Sequence, residues 1–159
     1  ESTMSPRLHV FSSVLAALWL GSLSVIGFMA VPLLFAHLPT LSVAGTMAAR
    51  LFAAQGWVSI ISVLLLVMLF RSRLRDFSGA RDEAGEQGAS LDSIRRPDMR
   101  YFGLLIAGLL LALLLQLVAA PRIEMRQNLA LWHSVGTAFY VGQWLCALLC
   151  VIRLAQRKV

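Results

Sequence analysis

The stretch YFGLLIAGLLLALLLQLVAAP, residues 101–121, decides the fold. It carries no charged side chain, and Gln116 is its only amide. A bilayer core takes about 20 apolar residues of helix, so this stretch reads as a transmembrane helix. Working outward, three further runs, 8–36, 51–70 and 129–152, are equally free of charge. The chain as a whole is 58% hydrophobic and 14% charged, against roughly 25% charged residues in a soluble domain. These runs predict an all-α integral membrane four-helix bundle, one domain over 1–159, with helices at about 8–36, 41–70, 101–121 and 129–152. The first run is too long for the apolar core of a signal peptide, about 7–15 residues, and reads as a retained span.

Charge placement sets the expected topology. Arg7 precedes the first span, seven Arg lie in 71–100, and Arg153, Arg157 and Lys158 follow the fourth. All fall on one side of the membrane, while only Arg50, Arg122 and Arg126 fall on the other. The basic side is cytoplasmic by the positive-inside rule. The expected setting is therefore the inner membrane, with both termini and 71–100 in the cytoplasm. The net charge of +6 is thus a topology signal rather than a nucleic-acid footprint. Seven Arg and six acids nearly cancel in 71–100. Its Gly- and Ser-rich middle buries too little to fold, so the segment is expected to be a mobile cytoplasmic loop.

Small residues mark candidate packing faces. They are Ser13, Ala17, Gly21, Ser24 and Gly27 in the first span, and Gly45, Ala49, Ala53, Gly56 and Ser59 in the second. Membrane helices approach closely along such faces. The third span offers Tyr101, Leu105, Gly108, Ala112, Gln116 and Ala119 on one side. Pro32 and Pro121 are expected to kink or end their helices. Arg50 points away from the small face of its helix and reads as an interfacial arginine. Cys146 and Cys150 lie one turn apart and read as small buried residues. No clear sequence repeat relates the first pair of spans to the second.

The fourth span, LALWHSVGTAFYVGQWL at 129–145, is unusually polar. His133, Gly136, Thr137, Tyr140, Gln143, Trp144 and Ala147 fall within an arc of about 120° on a helical wheel. Polar groups are costly against lipid, so this arc should face protein. His133, Thr137, Tyr140 and Gln143, with Gln116, are the candidate ligand-binding residues. His133 and His37 lie towards the same membrane face and form a candidate metal or haem pair. Conventional catalysis is not expected. No acid or base lies deep in a span, and no triad, phosphate loop or zinc spacing is present.

LWLGS at 18–22, VPLLF at 31–35, AGTMAARLF at 44–52 and RQNLALWHSVGTAFY at 126–140 resemble the transmembrane protein 205-like family, also described as domain of unknown function 4149. The matching positions are Trp19, Gly21, Pro32, Phe35, Gly45, Leu51, Phe52 and His133. The resemblance implies a small four-helix bacterial membrane protein without an assigned activity. Arg50 stands where a small residue is common. The leading expectation is a non-enzymatic bundle, homo-oligomeric in the bilayer, that binds or helps move a small ligand or ion. One alternative is a metal- or haem-binding protein using the two histidines. Another is a structural partner of a second membrane protein.

Overall fold

The computed structural model describes residues 6–86, 98–125 and 128–156. Every regular element is helical: α1 (Pro6–Val25), a π-helical turn (Ile26–Ala30), α2 (Val31–His37), α3 (Leu41–Glu86), α4 (Met99–Leu114), a second π-helical turn (Leu115–Ala119), α5 (Ala120–Glu124) and α6 (Leu129–Ala155). Among the described residues four stretches are long and apolar enough to cross a membrane: Arg7–His37, Leu41–Ser72, Met99–Glu124 and Ala130–Ala155. Each span packs on the next, and the first also packs on the fourth. The result is an up-down-up-down bundle with short connections at one end.

Both π turns end two residues before a proline, at Pro32 and Pro121. Proline has no N–H to give the carbonyl four residues back, and its ring collides with that carbonyl. Widening the helix by one residue relieves the collision and lets the chain continue past the proline. The prolines therefore do not end their spans, which continue to His37 and Glu124. They are absorbed.

Helix starts are fixed by short polar side chains. Asp98 accepts the backbone N–H groups of Arg100 (3.1 Å) and Tyr101 (3.2 Å) and caps α4. The same carboxylate faces Arg153 across 3.6 Å, which ties the start of the third span to the end of the fourth. Thr40 receives the Val43 N–H at the start of α3. Asn128, before α6, holds a left-handed backbone with φ 37°. At the same end, the Arg122 guanidinium lies over the Trp132 ring at 4.3 Å.

The core runs the length of the bundle. Trp19, Leu23, Val63, Leu66, Leu105, Ala147, Cys150 and Leu154 are buried, and Phe70 closes the far end by stacking on Phe102 at 4.9 Å. The third-span face is as its sequence implies: Tyr101, Leu105, Gly108, Ala112 and Ala119 are all buried.

Three expectations need correction. The second helix does not stop near Phe70 but continues to Glu86, so the first half of the expected loop is helix. No proline occurs between Pro39 and Pro97, and Arg, Leu, Ala and Glu carry a helix well once it is nucleated. The remainder of that loop, 87–97, lies outside the described residues. The small face expected of the first span holds only in part: Ser13, Ser24 and Gly27 are half-buried, with Ser24 and Gly27 against α6. Ala17 and Gly21 are exposed, and the buried side is Ser12, Leu15, Ala16, Trp19 and Leu23. Nothing lies within 4 Å of a β-carbon built at Gly21 or Gly45. Apolar bulk, led by Trp19 and Leu23, holds most of the interior side of the first span. In the second span the small residues straddle the boundary: Gly56 and Ser59 are buried, while Gly45, Ala49 and Ala53 are half-buried.

Candidate functional site

The interior contains a layer of polar side chains near mid-depth. Ser22 is the middle residue of Arg7–His37, and Gln143 is one of the two middle residues of Ala130–Ala155. The Trp19 indole Nε1 donates to Gln143 Oε1 at 3.4 Å. Ser22 donates to the Trp19 carbonyl at 3.0 Å. Gln55 Nε2 donates to Ser22 Oγ at 3.0 Å and to Ser59 Oγ at 3.2 Å. Three spans are thereby joined through one turn of the first.

A second tier lies nearer the π turns. The Tyr140 hydroxyl donates to the Leu23 carbonyl at 2.7 Å. The Trp144 indole donates to Ser24 Oγ at 2.9 Å, and Ser24 donates on to the Leu20 carbonyl at 2.8 Å. Phe52 meets the Tyr140 ring edge-on at 5.2 Å, and Phe28 meets Trp144 at 5.6 Å. From the third span, Gln116 Nε2 reaches the Ala53 carbonyl at 3.5 Å. Two glycines admit these side chains. A β-carbon at Gly27 would lie 2.6 Å from Tyr140 Cε1, and one at Gly56 would collide with the Gln116 amide.

The candidate residues divide. Tyr140 and Gln143 are buried, and Gln116 is half-buried against Gly56. His133 and Thr137 are exposed. The arc on α6 is rotated: its buried positions are Gly136, Tyr140, Gln143, Ala147, Cys150 and Leu154, which leaves His133 and Thr137 at the rim. Thr137 meets its hydrogen-bonding need within its own helix, donating to the His133 carbonyl at 2.8 Å, so it can border lipid at little cost. His37 is likewise exposed, with Nδ1 3.1 Å from the Leu33 carbonyl. Among the described residues no group of three or more His, Cys, Asp or Glu could hold a metal. Gln55, absent from the candidate set, is 4% exposed and central. The signal that marks Gln116 and Gln143, a lone amide in an apolar run, marks Gln55 equally.

A shallow depression on one face of α3, lined by Ser42, Val43, Thr46, Met47 and Arg50, is open and separate from this layer. Its threonine is already bonded, to the Ser42 carbonyl at 2.9 Å.

Residues 14–131 match the family described as a domain of unknown function, DUF4149. The chain belongs to the DUF4149 family. The match takes in Trp19, Ser22, Gln55 and Gln116 and ends at Leu131, so the α6 contribution to the polar layer lies beyond it. It also runs through 71–100, a segment outside the expected resemblance. No curated protein and no solved structure matches this DUF4149 chain.

Proposed function

We propose that this DUF4149 protein binds, and helps to move, a small neutral hydrogen-bonding molecule inside its bundle, at the layer of Gln55, Gln116, Tyr140 and Gln143, without covalent chemistry. One observation carries the reading. Gln143 is 1% exposed and Gln55 4% exposed, yet among the described residues Gln143 Nε2 has no protein acceptor and Gln55 Oε1 no protein donor. A buried amide group left without a partner costs about 1–3 kcal/mol. Such groups are retained where something other than the chain completes them. The two groups are complementary, one a donor and one an acceptor, and fit a molecule offering both. None of the four side chains is ionisable near neutral pH, which favours a neutral guest over an ion.

The setting is the inner membrane, with the arginine-rich ends and 71–100 in the cytoplasm; the basic bias supports this. The test is native mass spectrometry of the chain released from mild detergent. A small molecule retained by the unaltered protein and lost in Gln55→Leu and Gln143→Leu is the expected result. The reading fails if the unaltered chain carries nothing and a panel of small amides and alcohols leaves its unfolding temperature unmoved.

A further inference from the structure

We propose that the four spans are two copies of one helical hairpin, related by a two-fold axis along the bundle, and that the polar layer is a single site on that axis built from two equivalent halves. Sequence comparison alone does not reveal the repeat, because few residues are identical between the halves. The structure supplies the alignment.

Aperiodic features set the register. Pro32 and Pro121 are 89 residues apart, and so are their preceding π turns, Ile26–Ala30 and Leu115–Ala119. Leu41 and Leu129, the first residues of α3 and α6, are 88 apart. The buried amides Gln55 and Gln143 are also 88 apart. The distance from the proline to the first residue of the next long helix is one residue shorter in the second hairpin, 8 against 9. Any two amphipathic helices can be slid into phase, since their faces repeat every few residues. Prolines, π turns and lone buried amides have no such period.

Burial then agrees throughout. In the odd spans Ser12, Ala16, Trp19 and Leu23 are buried, as are their equivalents Tyr101, Leu105, Gly108 and Ala112. In the even spans Ala48, Gln55, Ser59, Ser62 and Leu66 are buried, as are Gly136, Gln143, Ala147, Cys150 and Leu154. Among described side chains, no buried residue of one hairpin falls on an exposed residue of the other.

The decisive contacts lie on the diagonals. A two-fold axis sends the first span onto the third and the second onto the fourth, so a residue on the axis must touch its own equivalent. Trp19 touches Gly108, its ring atoms lying 2.5 and 2.8 Å from where a β-carbon there would stand. Phe52 touches Tyr140, edge to face at 5.2 Å. Both pairs are equivalent pairs.

The axis also explains an asymmetry. Two indoles cannot occupy one close-packed position, so one copy carries Trp19 and the other Gly108. Gln143 therefore receives an indole N–H. Gln55, whose equivalent donor would stand at position 108, receives none from the described residues. Bulk is exchanged in the same way one tier up. Tyr140 lies over Gly27, and in the other half Gln116, the equivalent of Gly27, lies against Gly56 beyond Phe52. Repeat interfaces near mid-membrane are where transporter folds built in this way place their sites.

The test moves the tryptophan across the axis in the full-length chain. Trp19→Gly and Gly108→Trp should each lower the unfolding midpoint in detergent. The double variant should regain more than half of the midpoint lost by the worse single. It should also transfer the indole bond: relative to the unaltered chain, Gln55→Leu should then lower the midpoint more and Gln143→Leu less. Gly142→Trp combined with Trp19→Gly serves as the off-axis control and should regain nothing. A double variant no better than the worse single, or one that fails to fold at all, overturns the proposal, as does equal recovery by the control. None of these outcomes depends on a ligand, so this inference and the proposed function fail separately.

Discussion

At the scale of the residue, Tyr140 shows how the interior is specified. Its ring contacts Phe52, its hydroxyl is used by the Leu23 carbonyl, and its place exists because residue 27 has no side chain. Tyr140→Ala should destabilise the bundle by roughly 3–5 kcal/mol, as large aromatic truncations do in packed cores. Leu145→Ala and Leu149→Ala, on the exposed side of the same helix, should cost far less, because lipid chains fill the gap. Thermal or denaturant unfolding in detergent measures the difference, and equal sensitivity would mean that α6 is rotated. Gly27→Ala should also destabilise, since the added methyl meets the Tyr140 ring. That penalty should shrink when Tyr140 is already Leu, and a double-mutant cycle reads the coupling. If the two effects simply add, glycine at 27 serves the helix and not the ring.

At the scale of the element, the π turns and the Asp98 cap are the informative features. Pro32→Ala returns an N–H to the helix and removes the reason for the widened turn. The residues beyond would then rotate by about 100° if the turn tightened. Deleting Met29, which is 58% exposed, together with Pro32→Ala should give a plain α-helix with the downstream phase retained. The combined variant should unfold at a higher temperature than the Met29 deletion alone; a lower temperature would show that the π turn itself is needed for packing. Asp98→Ala removes the N-cap of α4, a loss of about 1 kcal/mol. Its pairing with the partly exposed Arg153 adds little. Arg153→Ala should therefore be the milder change by the same unfolding assay, and the reverse order would assign the energy to the ion pair.

At the scale of the whole molecule, the arginines should orient the bundle. Reporter fusions at Val159 and within 80–86 should be active only in the cytoplasm. Activity on the outer side at either place would reverse the topology. α3 has 46 residues, about 69 Å at 1.5 Å per residue, against a hydrocarbon core of about 30 Å. Much of it must project, so Arg71 and Arg75 should be cut by trypsin in inverted vesicles and protected in right-side-out ones.

The sequence by itself determined four spans, their helical form, the third-span face and most of the α6 interior. Hydrocarbon length and the cost of unpaired backbone in lipid leave little else for runs such as 101–121. It also marks Gln55, Gln116 and Gln143 alike, each a lone amide in an apolar run. Tertiary structure decided the rest. A helix periodicity gives a face but not what fills the space opposite, so small-residue spacing points to Ala17 and Gly21 while Trp19 holds the first-span interior. A proline predicts a defect but not its form, and the π turns emerge only when the spans must continue to their loops. The pairing of Trp19 with Gly108 and of Phe52 with Tyr140 joins residues 89 and 88 positions apart. No local rule reaches that far, because such contacts depend on which helices become diagonal neighbours once all four have packed.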